Sequence, residues 1–187
     1  MTVTEIFSYL IAHMKKGIDM HEHLMIMFDF LNLEGYSMYQ KYRYYDELRA
    51  CRKLYTFYLN TYNKLLPEQS YEKIEVIPSN WTKYEKMNVD SNTKRATVRD
   101  MMKLWIKWEQ ETKVLLEGKY KELEALNDMY AALMIADLLR EVGHELEEAY
   151  HKFIDLETCN YDMVYILDEQ SYLCKFYKKK IYEDDVK

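Results

Sequence analysis

The sequence predicts an all-α fold: a four-helix bundle with one long crossover between its second and third helices, plus short leading and trailing helices. Three observations lead there. Four stripes of apolar residues recur at alternating steps of three and four, as one buried face of a helix requires. They are Leu24–Phe28–Leu31–Gly35–Met38–Tyr42–Tyr45, Cys51–Leu54–Tyr58–Tyr62–Leu65, Val98–Met101–Trp105–Trp108–Thr112–Leu115 and Ala132–Ile135–Leu139–Val142–Leu146–Ala149–Phe153. Breakers are scarce, with 4 Gly and 2 Pro in 187 residues, which suits long helices and argues against a sandwich or barrel. Both prolines fall in one stretch, Pro67 to Val89, that carries no helical stripe.

Local signals place the elements in order. Thr2 with Glu5, and Asp19 with Glu22, have capping-box spacing. Lys15, Lys16 and Gly17 between them suit a C-terminal stop. A leading helix is therefore expected at about 3–16 and a first bundle helix at about 19–45. The second is expected at about 47–66, closed by Pro67. The connection that follows holds a β-like stretch, Ile74–Ile77, and one short turn near Trp81–Tyr84. The third helix opens at the Asp90–Asn92 cap signals and runs to about Leu126. Asn127 and Asp128 make the next turn, and the fourth spans about 129–156. Met163, Ile166, Leu167, Leu173 and Phe176 mark a trailing amphipathic helix at about 162–182, its basic and acidic tail frayed and solvated.

Junction lengths decide the topology. A bundle helix of about 30 residues is ~45 Å long, and a connection of about 23 residues reaches ~70 Å when extended. Only this connection can run the length of the bundle. Short, long, short means two antiparallel hairpins joined by one crossover. No repeat or low-complexity tract marks a second domain, so residues 1–187 read as one domain, its bundle core at about 19–156.

Composition narrows the function. A net charge of −6 disfavours a nucleic-acid partner. Cys51, Cys159 and Cys174 are an odd, widely spaced set without a CxxC, and read as reduced thiols in a cytoplasmic protein. The richest apolar run, Leu24 to Leu33, contains Asp29 and Asn32 and is too short to span a bilayer. No secretory signal is evident. With four glycines, a phosphate-cradling loop and a dinucleotide fingerprint are close to excluded, and no Ser/His/Asp set is visible.

Certain residues carry a resemblance. Asn32-Leu-Glu-Gly-Tyr-Ser-Met-Tyr39 resembles the opening helix of ferritin-like proteins. Trp108-Glu-Gln-Glu-Thr112, together with Ala131 through Arg140-Glu-Val-Gly-His144, resembles the third and fourth helices of the ferritin and bacterioferritin superfamily. The resemblance covers most of 19–156. It implies a ferritin-like bundle in which a Glu from each of two helices and a Glu-x-x-His from each of the others hold two irons. Matching positions are Glu34, Glu109 and the Glu141-x-x-His144 pair. Residues 46–66 contain no histidine, so the second Glu-x-x-His is missing.

Helix phase bears on those positions. At ~100° per residue, Glu141 lies about 120° and His144 about 180° from the centre of the Leu139–Val142–Leu146 seam. They share a charged face with Asp137, Arg140, Glu147 and Glu148, costly to bury together. Glu141, His144, Glu148 and His151 form two tandem Glu-x-x-His units there, either a solvated stripe or a capture site for a divalent ion. Glu109 lies within about 40° of its helix's apolar seam and points inward. A buried carboxylate needs a partner, which a tyrosine hydroxyl, Glu34 or His21 could supply. His21 and His23 diverge by ~200° and cannot chelate together; His13 has no evident partner. The 12 methionines and the Trp105/Trp108 pair read first as core filling.

Residues 24–31 are apolar nearly all round the helix and must be covered on several sides. A homo-oligomeric (dimer) contact through 24–33 is one cover. Two functions follow from the whole: a ferritin-like non-catalytic binding or structural oligomer, or a metal-binding iron handler or oxidase built on Glu34, Glu109, Glu141 and His144. No cofactor is specified beyond iron or another divalent metal in the second case, and neither nucleic acid nor membrane is expected as a partner.

Overall fold

The computed structural model describes residues 1–67, 70–72, 74 and 89–185. Among these it is helical without strands: α1 (Val3–Phe30), α2 (Glu34–Tyr62), α3 (Ser91–Ala125), α4 (Met129–Thr158) and α5 (Met163–Asp185). Helix starts follow the local chemistry. The Thr2 side chain accepts from the Glu5 backbone N–H at 3.3 Å while Thr2 N–H donates to Glu5 at 2.7 Å, a complete capping box. Asp90 accepts from Thr93 N–H at 3.0 Å and Asp128 from Ala131 N–H at 3.1 Å, each satisfying an orphan donor of the first turn.

The first two bundle helices differ in register from the sequence expectation. Gly17 and Asp19 do not break the chain; the expected leading helix, 3–16, and the first part of the expected 19–45 helix are one continuous rod, α1. The rest of that helix joins the expected 47–66 helix to make α2. The hairpin turn lies instead at residues 31–33. There Asn32 adopts φ 59°, Leu33 N–H reaches back to the Phe28 carbonyl at 2.9 Å, and Asn32 N–H to that of Asp29 at 3.1 Å. This is a Schellman closure, with Leu33 fully buried beneath it. Asn127 and Asn160 close α3 and α4 in the same way, and Asn63 is left-handed at the end of α2. Asparagine does here what glycine does in most helix ends; the glycines all have negative φ. The β-like stretch beyond Ile74 and the turn at 81–84 lie outside the described residues.

The topology is as expected: α1 packs along α2, α3 along α4, and the long connection joins the two hairpins. Two apolar clusters fill the interior. One gathers Met20–Leu33, Tyr36, Tyr39, Val98–Ile106 and Ala149–Leu156; the other gathers Ile6–Met14, Cys51–Tyr58, Leu116, Leu123 and Ala131–Val142. A polar layer lies between them, near the bundle's midpoint. The helix α5 folds back against α2, antiparallel to α4. Its approach to α2 is close at Gly35, where an added Cβ would lie 2.0 Å from the Gln170 carbonyl oxygen.

Candidate functional site

The polar layer is built from all four bundle helices. From α1 come His13, Gly17 and His21; from α2, Gln40, Arg43, Asp46 and Glu47; from α3, Trp105, Trp108, Glu109 and Thr112; from α4, Glu145 and Glu148. His21, Gln40, Arg43, Glu47, Glu109 and Thr112 are all buried. Charges and amides at such depth require partners, and most find them.

Arg43 is the centre. One guanidinium nitrogen lies 3.3 Å from Asp46 and 3.2 Å from Glu145; the other donates to Glu148. The guanidinium also faces the rings of Tyr39, Tyr42 and Trp105 at 5.3–5.6 Å from their centroids, within cation–π range. Each central carboxylate on α2 and α3 meets an indole: Trp105 Nε1–H donates to Glu109 and Trp108 Nε1–H to Glu47, both at 2.8 Å. Trp108 also stacks on His13, centroids 4.2 Å apart. Gly17 makes room for this arrangement, since a Cβ there would come within 2.6 Å of both Glu47 and Trp108. His13 Nε2 is 2.8 Å from Thr112 Oγ1, and His21 Nδ1 donates to Gln40 at 2.8 Å.

Burial shifts the titrations. It raises Glu109 to about 7, against the opposing pull of Arg43 and the Trp105 hydrogen bond. It raises Glu145 to about 8, helped by Glu109. Glu47 is pushed well up by burial and by Glu109. Burial lowers His13 and His21 to about 4, so both are neutral imidazoles. For Glu148, burial is outweighed by Arg43 and the Tyr177 hydrogen bond, leaving it below the usual carboxylate range. The layer thus holds protons on its inner acids and balances its outer ones against a fixed cation.

The residues singled out from sequence are dispersed. Glu109 lies in the layer, but its partner is the indole one turn earlier, not a tyrosine hydroxyl. Glu34 is the first residue of α2 and is exposed. Its neighbour is the Cys174 thiol of α5, which burial, and after it Glu34, pushes up. Glu141 pairs with Lys53 at the surface and His144 faces solvent. The tandem stripe divides: Glu148 turns inward to Arg43 and Tyr177, while His151 stays out, 3.8 Å from Glu147. Among the described residues no group of three or more His, Cys, Asp or Glu side chains converges to hold an ion. His13 is partnered after all, by Thr112 and Trp108.

Sequence reasoning missed Arg43, Asp46, Glu47 and Glu145. Arg43 and Glu47 lie on the helical stripe Tyr36, Tyr39, Arg43, Glu47, Cys51, Leu54 and Tyr58, where their charges read as gaps in an apolar face; Asp46 and Glu145 left no such trace.

A di-iron pair does not fit this donor set. It needs carboxylates free to bridge and an inward imidazole from each of two helices. Here Arg43 and two indole N–H groups already engage the carboxylates, α2 has no histidine, and His144 points away.

The bundle and its crossover define the class: this chain has the ferritin-like fold. Solved structures place it beside archaeal ferritins. An engineered closed form of the Archaeoglobus fulgidus ferritin matches with a TM-score of 0.74 at 14% identity, over 93% of this chain and 96% of that one. The open-pore ferritin of the same hyperthermophilic archaeon gives 0.74 at 15%, over 91% and 93%. A humanized archaeal ferritin gives 0.77 at 13%, over 91% and 94%. Identity this low carries the fold and no residue's role. No protein-family model matches the chain, and no curated protein matches it by sequence. Among the described residues no helix is long and apolar enough to cross a membrane.

Proposed function

We propose that this chain is a non-catalytic, ferritin-like binding or structural protein that self-associates. Its bundle centre is held by a built-in cation. The observation that supports this reading is Arg43: a buried guanidinium within the bundle contacts Asp46, Glu145 and Glu148 and supplies the positive charge that holds Glu148 ionised. The indoles of Trp105 and Trp108 each donate to one oxygen, of Glu109 and of Glu47, and Glu109 Oε2 is buried with no hydrogen-bond partner among the described residues.

That oxygen is the one feature favouring the other reading, a metal-binding protein in iron handling or oxidation. One experiment separates the two. Protein purified without chelators is titrated anaerobically with ferrous iron and its bound metal measured after desalting. Retention well below one iron per chain supports the non-catalytic reading. About two irons per chain, lost in Glu109→Ala, would overturn it. Self-association is proposed to run through residues 24–33 as a dimer.

A further inference from the structure

Among the described residues, the seam between α2 and α4 is covered along only one half. Over residues 36–42 of α2 and 148–152 of α4 lies α5: Tyr177 packs on the rings of Tyr39 and Tyr42 while its hydroxyl donates to Glu148, and Lys152 pairs with Glu169. Past this point the same seam opens into a groove of about 660 Å³ between residues 49–61 and 134–141. That volume is in the range of small-molecule sites. The described part of the crossover lies elsewhere: Tyr71 bonds Asp19 of α1 at 3.2 Å, and Ile74 sits with Lys16, Leu104 and Trp108 on the α1–α3 side.

The groove has an apolar floor and a positive rim. Phe57, Met134 and Leu138 form the floor, with Leu138 2% exposed. Around it the charges pair off: Arg49 with Asp46, Lys53 with Glu141, Arg140 with Asp137. Arg52 is exposed at the same rim and has no ion pair among the described residues. A chain of net charge −6 thus presents an uncompensated guanidinium over a greasy trough. An arginine so placed is a fork for a carboxylate or sulfate head.

We propose that this groove binds a single-chain amphipathic organic anion, of the fatty-acid class, its tail on Phe57, Met134 and Leu138 and its head on Arg52. The site does not involve the polar layer, so its test is independent of iron. Dodecanoate, kept below its micellar concentration, is titrated calorimetrically into the full chain, with dodecyltrimethylammonium as the cationic control. The expected result is saturable binding of about one dodecanoate per chain and at least about tenfold weaker binding of the cation, the worth of one charge-assisted contact. Arg52→Glu should weaken dodecanoate by a similar factor. Thr56→Trp, which fills the trough from an exposed lining position, should abolish binding, with unchanged helical circular dichroism in both variants. Equal affinity for both head groups, no saturable binding, or binding indifferent to both variants would overturn the proposal. So would a change of oligomeric state in the variants without dodecanoate binding to the wild type, which assigns the groove to a second copy.

Discussion

At the residue scale the midpoint layer is governed by burial. Glu109 and Glu145 hold their protons to about 7 and about 8, whereas in an unfolded chain a carboxyl loses its proton near 4.3. A folded-state pKa raised above the unfolded value contributes stability that is complete below the unfolded pKa and is lost as pH rises through the folded one. His13 and His21 work in the opposite sense: lowered to about 4, they contribute stability above pH 6.5 that is lost as pH falls through 4. Between pH 6.5 and 8.5 the histidines gain only the last part of their contribution, and the loss from the carboxyls outweighs it. The melting temperature is therefore expected to fall across that window, and Glu109→Gln, which keeps the Trp105 hydrogen bond without a titrating proton, to flatten the slope. Thermal melts monitored by circular dichroism at a series of pH values check this; a flat wild-type profile, or an unaltered slope in the variant, contradicts it. Of this layer, Glu109's inward direction was legible from phase. Arg43 and Glu47 were not, because a charged residue on a buried stripe is indistinguishable from a gap in it until its partners on α4 and α3 are known.

At the element scale, helix limits depend on which residue takes the left-handed end. Gly17 has the right type for a stop and lies inside α1, because its small side allows Glu47 and Trp108 close approach. Asn32 supplies the stop instead. The long crossover was legible, since it rests on spacing; the first stripe was not one helix face, because the turn at 31–33 divides Leu24–Leu31 of α1 from Gly35–Tyr45 of α2, and the position of that turn rests on which of two permissive residues Leu33 could be buried beside. The glycines can be told apart by substitution. At Gly35 a methyl would strike the backbone of α5 at Gln170, so Gly35→Ala should destabilise the protein by about 1–3 kcal/mol and expose the Cys174 thiol to faster labelling. At Gly118 and Gly143 a Cβ meets nothing within 4 Å, and both are helical. Either alanine should stabilise by about 0.4–1 kcal/mol. Urea unfolding of the three variants gives the comparison, and a stabilising Gly35→Ala would refute the close packing of α5 on α2.

At the scale of the whole molecule, the all-round apolar stretch of α1 has its cover mostly within the chain. Leu24, Met27, Phe28 and Leu31 are buried in the apolar cluster they share with Tyr36, Tyr39, Val98–Ile106 and residues of α5. Met25 and Phe30 are half-buried, and Ile26 is 47% exposed. The segment therefore has little apolar surface left to offer, and a stable interface needs far more than one isoleucine, on the order of 800 Å² per partner. Any dimer through it must centre on Ile26 and recruit its half-buried neighbours and the flanking polar residues. That makes Ile26 the sensitive position: an aspartate there places a charge at the centre of the contact and leaves the intrachain core intact. Sedimentation velocity at micromolar concentration should show a dimer for the wild type and a monomer for Ile26→Asp, with equal melting temperatures once both are diluted to monomer. A wild type that is monomeric, or a variant that remains assembled, removes this face as the interface and moves the search to the other exposed apolar residues, such as Leu133 and Val164.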